Sequence, residues 1–363
     1  MSNRKNRVFV DIHVIQSLPP SCVNRDDTGS PKTAVYGGVR RARVSSQSWK
    51  HAMREMFKEY FSESELSERT KKIVDKVADQ ICTLFNTGKE DAMTAAEKII
   101  NQAGVSTKDS EAKALFFMSS KQAENLARMA LMKPLPGKKE VQAALNAGKG
   151  IDIALFGRMV ADDPALNTDA SAQVAHAIST HKVENEYDYY TAIDDRTPED
   201  QAGAGMIGTI EFNSSTLYRY ATVAAHDLKN NLGDANAVAK AVKEFIRAFV
   251  CSMPTGKLNT FANSTPPYAV MVAFRRDQPV NLVGAFETPV KAGEGGYQGK
   301  SAKALADYAK IVYRNFFNEP EKAFFSAIGN ELTGLGDALE LPELLNKTEQ
   351  VVAGFLLEDG VQA

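Results

Sequence analysis

VFVDIHVI, residues 8–15, puts an apolar side chain at every second position. Val8, Val10, Ile12 and Val14 fall on one side of an extended chain, with Phe9, Asp11, His13 and Ile15 on the other. That is the period-two signature of a strand with one strongly apolar face. The next regular stretch, SSQSWKHAMREMFKEY at 45–60, repeats at three and four residues instead. Trp49, Ala52, Met53, Met56, Phe57 and Tyr60 share a stripe, with Lys50, Arg54 and Lys58 off it, so a helix opens near Ser46. On that stripe Trp49 reads as core.

Further along, 62–178 keeps a helical pattern broken by Gly88, Gly104, the PLPG turn at 134–137 and 148–150. Helices are predicted at 68–85, 91–101, 109–132, 138–147 and 170–178, a helical insertion. The period then returns to two at 180–193 and 209–223, around the Gly-, Pro- and Asp-rich DDRTPEDQAGAG of 194–205, which reads as a long exposed hairpin tip. Asp234 opens a helix with Val238, Ala241, Val242, Phe245, Ile246 and Phe249 on one stripe, YAVMVAF at 268–274 reads as a strand, and 299–317 as a further helix. The core order is β, α, β, β, α, β. With right-handed connections this predicts an α+β, ferredoxin-like or RRM-like sheet with helices on one face. On the strand leaving the hairpin, Arg219 faces out toward RNA or a neighbour if Tyr218 and Tyr220 pack inward; His13 is placed on the outer side of the first strand.

The 363 residues carry 43 Lys and Arg against 45 Asp and Glu, which excludes a bulk polycation, and 44% hydrophobic residues suffice for a substantial core. The distribution is uneven: the first 50 residues hold nine Lys or Arg and only three acids, a local basic surface on a mildly acidic body. No apolar run approaches the roughly 20 residues of a membrane span. Cys22, Cys82 and Cys251 are odd in number and form no CxxC pair, which predicts reduced thiols and a cytoplasmic location.

The basic segment concentrates in SCVNRDD (21–27) and GGVRRARVSSQSWK (37–50). Gly37 and Gly38 permit positive φ, Arg40, Arg41 and Arg43 supply cationic forks, and Ser45, Ser46 and Ser48 set hydroxyls beside the free N–H groups of a helix start. These are the parts of a phosphate site. A capped helix behind a solvated arginine run has the same composition. No RRM-type aromatic motif marks the sheet face as a base reader, so nucleic acid is expected on the basic loop, the Lys50 and Arg54 helix edge and the two projecting insertions. The acid pairs Asp26/Asp27, Asp162/Asp163 and Asp194/Asp195 are of a kind that can hold Mg²⁺, although paired loop acids are more often turn formers. His176 and His181, five residues apart, do not share a helical face and make a poor zinc pair.

Together SCVNRDD, GGVRRARVSSQSWKHAMR, GIDIALFGRM, VAHAISTHKVENEYDYYTAIDD and EFNSSTLYRYA closely resemble the CasC (Cse-type) backbone subunits of the type I-E CRISPR Cascade complex. The resemblance implies a hand-shaped subunit. The RRM-like palm would comprise 1–60, 179–192 and 217–363 with the C-terminal region, the helical fingers 61–178, and the β-hairpin thumb 193–216. It implies copies polymerised along one CRISPR RNA, presenting it in segments to target DNA beside other Cascade subunits, without a membrane, metal or cofactor and without catalysis. It assigns guide contacts to Arg25, Lys32, Ser45, Gln47, Lys50 and Arg54. His51 stands where the family can carry arginine. Met159 is implied as a wedge against the guide bases, Tyr190, Thr191 and Ile193 as the start of the thumb, and Lys291 in FETPVKAGEGG as a further phosphate contact. Lys133, Lys138 and Lys139 fall where fingers grip target DNA. Related type III subunits cut RNA with a loop aspartate, so the alternative is a metal-dependent endoribonuclease using Asp26.

Overall fold

The computed structural model describes residues 7–192 and 206–358. Along the chain run β1 (Phe9–Ser21), β2 (Thr33–Tyr36), β3 (Val39–Val44), α1 (Ser46–Phe57), β4 (Ser67–Thr70), α2 (Ile73–Phe85), α3 (Lys89–Ala103), β5 (Thr107–Lys108), β6 (Glu111–Ala112), β7 (Phe116–Ser119), α4 (Ser120–Ala130), α5 (Lys138–Asn146) and α6 (Ile151–Phe156). They are followed by β8 (Ala172–Val174), β9 (Ala177–Ser179), β10 (Glu186–Ala192), β11 (Met206–Ala224), α7 (Ala225–Leu232), α8 (Ala235–Cys251), α9 (Leu258–Phe261), β12 (Ala269–Arg275), α10 (Gln298–Phe316), β13 (Lys322–Ala327), β14 (Asp337–Ala338) and α11 (Leu341–Glu358). The fold is mixed α+β.

The main sheet runs β14-β13-β12-β1-β11-β9-β3-β2. Its spine is β1, antiparallel to β11 from Phe9↔Ala224 to Leu18↔Ser215 and to β12 from Phe9↔Arg275 to Ile15↔Ala269. The register with β11 breaks between Leu18 and Ser21, where Pro19 and Pro20 offer no N–H to the ladder. Beyond this break Met206 to Phe212 of β11 pair instead with β10, and the two strands form an antiparallel ribbon.

Helices cover both faces of the sheet, where one was expected. On the first face Val8, Val10, Ile12 and Val14 meet Trp49, Met53 and Phe57 of α1, Val242, Phe245 and Phe249 of α8, and Val352 of α11. Each such side chain contributes roughly 1.5–3 kcal/mol by its burial. On the second face Ile15, Tyr218, Tyr220, Met271 and Phe325 lie under Leu305, Ala309 and Val312 of α10. The helix at 298–316 thus closes the face that period-two reading had left to solvent.

Asp11 and His13 are consequently buried. Asp11 accepts hydrogen bonds from the Tyr220 hydroxyl and the Val280 N–H, both 2.9 Å, and His13 Nδ1 lies 2.9 Å from the Tyr218 hydroxyl. Burial pushes the Asp11 carboxyl up to about 6. Burial, helped by the charge on Arg275, pulls His13 down to about 3. Arg219 is also buried, not outward: its guanidinium lies over Trp49 at 3.6 Å and Phe249 at 4.6 Å, and bonds the Gln16 side chain and the Phe249 carbonyl.

The helical block has its own core, built by Ile73, Val77 and Ile81 of α2, Ile99 of α3, Leu126 of α4 and Val141 of α5. Two predicted helices are displaced. Within 109–132 only Ser120–Ala130 is helical, because Phe116, Phe117 and Met118 are buried in succession in β7, which pairs with β4 from Ser67↔Ser119 to Thr70↔Phe116. At 170–178 the chain forms β8 and β9: Ala172 and Val174 turn inward around an exposed Gln173, and Val174 pairs with Ala221. Three residues of alternation that gain a ladder partner outweigh a weak helical pattern.

Candidate nucleic-acid interface

The loop after β1 is stapled to the start of α1. The Asn24 side-chain oxygen accepts the Ser45 N–H at 2.8 Å, Lys32 N–H donates to the Asn24 carbonyl at 2.9 Å, and Arg43 N–H to the Lys32 carbonyl at 2.9 Å. Within the loop Asp26 accepts from the Thr28 N–H, the Thr28 hydroxyl and the Ser30 N–H, an Asx turn that lowers its pKa, chiefly through the Thr28 hydroxyl. The turn leaves Arg25 exposed and Lys32 half-buried beside the helix start. Ser45 caps α1, accepting the Ser48 N–H at 3.3 Å, and no acid occupies the first turn, so the N-terminal partial positive charge is not offset there. Gln47 is exposed. The Ser46 N–H is taken by His176 Nδ1 at 3.1 Å. Burial lowers the pKa of that imidazole, as do the charges on Arg43 and Lys32.

The arginine run divides. Arg41 is fully buried and gives its fork to the carbonyls of Tyr36 (3.1 Å), Ser179 (3.0 Å) and Phe286 (2.8 Å). It is a brace for the β2–β3 hairpin and not a phosphate ligand, as its place in the run had suggested. Gly37 sits at φ +58°, where any side chain would collide with the Glu287 carbonyl. Arg40 is exposed, and Arg43 is half-buried with its Nε on the Thr33 carbonyl at 3.3 Å.

On the basic edge of α1, Lys50 is half-buried over the Phe156 ring at 5.7 Å. Arg54 pairs with buried Asp152 at 3.4 Å, donates to the Ser67 carbonyl and stacks on Phe117 at 4.5 Å. It therefore ties α1 to the helical block as well as lining its edge. Burial raises the Asp152 carboxyl and Arg54 opposes that rise.

Met159 is 85% exposed. Its neighbours fix it outward: Arg158 is bridged to Thr168 in both directions at 3.0 and 2.8 Å, and the Val160 N–H is held by Asn167 at 2.7 Å. The Arg158 guanidinium is buried on the carbonyls of Leu166 and Phe117 and the side chain of Asn146.

On the ribbon, Tyr190 lies across Gly208, its ring filling the space a Cβ would need. Thr191 is exposed, and Ile193 lies outside the described residues. Tyr187 and Tyr189, which the sequence reading passed over, are 70% and 64% exposed. Their alternation in EYDYYTA was the available signal. Exposed Lys291 belongs to a loop tied down at the ribbon root: the Val290 N–H bonds the Thr180 carbonyl at 3.0 Å, and Tyr297 stacks on His181 at 3.7 Å. His181 Nε2 accepts the Thr216 N–H at 3.0 Å. Lys133, Lys138 and Lys139 stand apart, on the helical block near the start of α5. Lys138 pairs with Asp163 at 2.7 Å, and the other two are exposed.

Among the described residues no group of three His, Cys, Asp or Glu side chains is placed to hold a metal ion. Asp162 accepts the Ser106 N–H and Asp163 caps the turn at Pro164–Leu166, while Asp194 and Asp195 lie outside the described residues. Among the described residues no helix is long and apolar enough to cross a membrane.

This α+β architecture is that of subunits in CRISPR RNA-guided surveillance complexes. The chain is similar to a chain of a "CRISPR RNA-guided surveillance complex, pre-nicking" at 32% identity, covering 95% of this chain and 100% of that one, with a TM-score of 0.82. It is also similar to a chain of a "CRISPR RNA-guided surveillance complex" at 29% identity over 94% and 99%, with a TM-score of 0.72. The family model described as CT1975-like protein matches residues 10–350, and the chain belongs to that family. None of the curated proteins compared matches it. The resemblance to Cascade backbone subunits, read from the five sequence segments, is borne out.

Proposed function

We propose that the chain is a non-catalytic, CRISPR RNA-binding backbone subunit that polymerises along the guide in a type I-E Cascade antiviral complex in the cytoplasm. It presents the guide in segments to target DNA. In this reading 1–60, 179–192 and 217–363 form an RRM-like palm with the C-terminal region, 61–178 the fingers and 193–216 the thumb. Arg25, Lys32, Ser45, Gln47, Lys50, Arg54 and Lys291 meet guide phosphates. Met159 and the thumb residues Tyr190, Thr191 and Ile193 interrupt base stacking once per subunit, so that pairing proceeds in short stretches without the target winding around the guide. Lys133, Lys138 and Lys139 reach target DNA, Lys138 by exchanging Asp163 for phosphate. The observation that carries the reading is Met159, apolar, 85% exposed and clamped on both sides, on a chain whose helix start is basic and free of acids. Asp26 is accounted for as the acceptor of a turn.

Sizing the purified chain with CRISPR transcripts of different length tests the proposal: an assembly whose mass grows with RNA length is expected, and a monomer indifferent to RNA refutes it. Labelled complementary RNA with Mg²⁺ stays intact. Cleavage abolished by chelator and by Asp26→Ala would instead establish the endoribonuclease reading.

A further inference from the structure

The cationic edge of α1 continues onto a residue outside the set read from sequence. Arg69 of β4 stands opposite Phe117 of β7 in the register of that strand pair, with its guanidinium carbon 5.2 Å from the ring centre. Arg54 lies over the same ring at 4.5 Å, and Lys50, one turn back on α1, over Phe156 at 5.7 Å. Three cations therefore gather on two phenylalanines where α1 meets the helical block. One carboxylate is paired among them, the buried Asp152, and it is taken by Arg54.

Arg69 is exposed, and among the described residues the Phe117 ring is the one hydrogen-bond, ion-pair or ring partner of its side chain. A ring orients a guanidinium while leaving its N–H donors for oxygen acceptors. The charge on Arg69 also bears on Lys50, whose pKa is lowered first by burial and then by Arg69. Like charges held together on fixed platforms repel, and an anion placed between them reverses the sign of that energy.

We propose that Arg69 is a phosphate ligand and that, together with Lys50, it clamps a single phosphodiester of the bound guide where the strand passes from α1 onto the helical block. The inference rests on the guide-binding reading and adds to it a residue and a stoichiometry, one phosphate for two cations.

The full chain is titrated into labelled single-stranded CRISPR RNA from about 50 to about 200 mM salt, a range over which phosphate contacts separate from the rest. Wild type, Arg69→Gln, Lys50→Gln and the double variant are compared, before and after a complementary DNA strand is added. Arg69→Gln is expected to weaken guide binding roughly tenfold and to flatten the slope of log affinity against log salt by up to about 0.7. The double variant should lose less than the product of the two single losses, because one phosphate is shared. Arg69→Lys retains most of the binding.

Wild-type binding by Arg69→Gln while Lys50→Gln is weakened overturns the inference and leaves the guide-binding reading standing. Wild-type binding by both variants removes that reading as well. A loss that emerges only with the DNA strand assigns Arg69 to the target and overturns the inference. Strictly multiplicative losses, or an affinity loss with unchanged salt slope and a lowered melting temperature, also overturn it, the last by revealing a packing role.

Discussion

Asp11 and His13 tilt the pH dependence of stability in opposite directions, and replacing either one exposes the other. His13 titrates at about 3 in the folded chain and near 6.5 when unfolded. As pH falls from about 6.5 to about 4.5 the unfolded state takes up a proton that the folded state refuses. At 1.36 kcal/mol per pH unit this costs about 2.5 kcal/mol. Asp11 runs the other way. Its folded pKa of about 6 lies above the unfolded value near 3.9, so the folded state takes the proton first and gains about 2 kcal/mol over the same interval. In the wild type the two nearly cancel. His13→Asn, which keeps a polar partner for Tyr218, should grow more stable on acidification by about 2 kcal/mol relative to wild type at neutral pH, after other groups cancel in the difference. Asp11→Asn should grow less stable by a similar amount. Urea unfolding followed by tryptophan fluorescence from Trp49, at half-unit pH steps, measures both. Two variants that run parallel to wild type across the interval would refute the buried titration of this pair.

Other substitutions test the interface and the core. Lys50→Glu should weaken guide binding by about 1–3 kcal/mol per subunit, multiplied along a filament; native gel shift with a CRISPR transcript reads it, and unchanged assembly counts against the phosphate role. Met159→Ala should leave the melting temperature within about a degree, since an exposed side chain adds little to stability, yet impair capture of a complementary DNA strand by the assembled RNA; unaltered capture would make Met159 ordinary surface. Arg219→Met replaces a buried cation that has no carboxylate partner among the described residues but leaves the Gln16 side chain and the Phe249 carbonyl without their donor, and is expected to destabilise by about 1–3 kcal/mol; a melting temperature at or above that of the wild type would show that these bonds do not hold the sheet to α8.

Legibility in the sequence followed how locally each structure is determined. The first strand, α1 and α8 have long periodic stripes, and all three stand where the pattern put them, with Trp49 in the core. The β4–β7 pair and β8 have only three or four residues each, and their conformation is decided by ladder partners distant in the chain, which no local window contains. The second helical layer escaped notice for a related reason. Asp11 and His13 look like solvent-facing residues in VFVDIHVI, and only Tyr218, Tyr220 and the Val280 N–H, arriving from far along the chain, make their burial tolerable.

Burial separates the cations that can bind phosphate from those that cannot, which is why charge counting succeeds for the region and fails for the residue. A guanidinium facing three carbonyls, as in Arg41, or aromatic faces and a backbone oxygen, as in Arg219, has its donors committed within the fold. Desolvation makes that commitment hard to reverse, because pulling the group outward strands buried carbonyls. Arg25, Arg40 and Arg69 stand on turns and strand positions that end in solvent, and so keep their donors. In RRARV the exposed Arg40, buried Arg41 and half-buried Arg43 lie within four residues and differ by nothing in their chemistry. The strand pleat turns Arg41 and Arg43 to the side opposite Arg40, and on that side the Ser179 and Phe286 carbonyls close over Arg41 alone. An anion approaching this surface therefore meets cations whose positions are set by their neighbours' burial, and a substitution at Arg41 would disturb it by releasing the hairpin that presents Arg40 and Arg43.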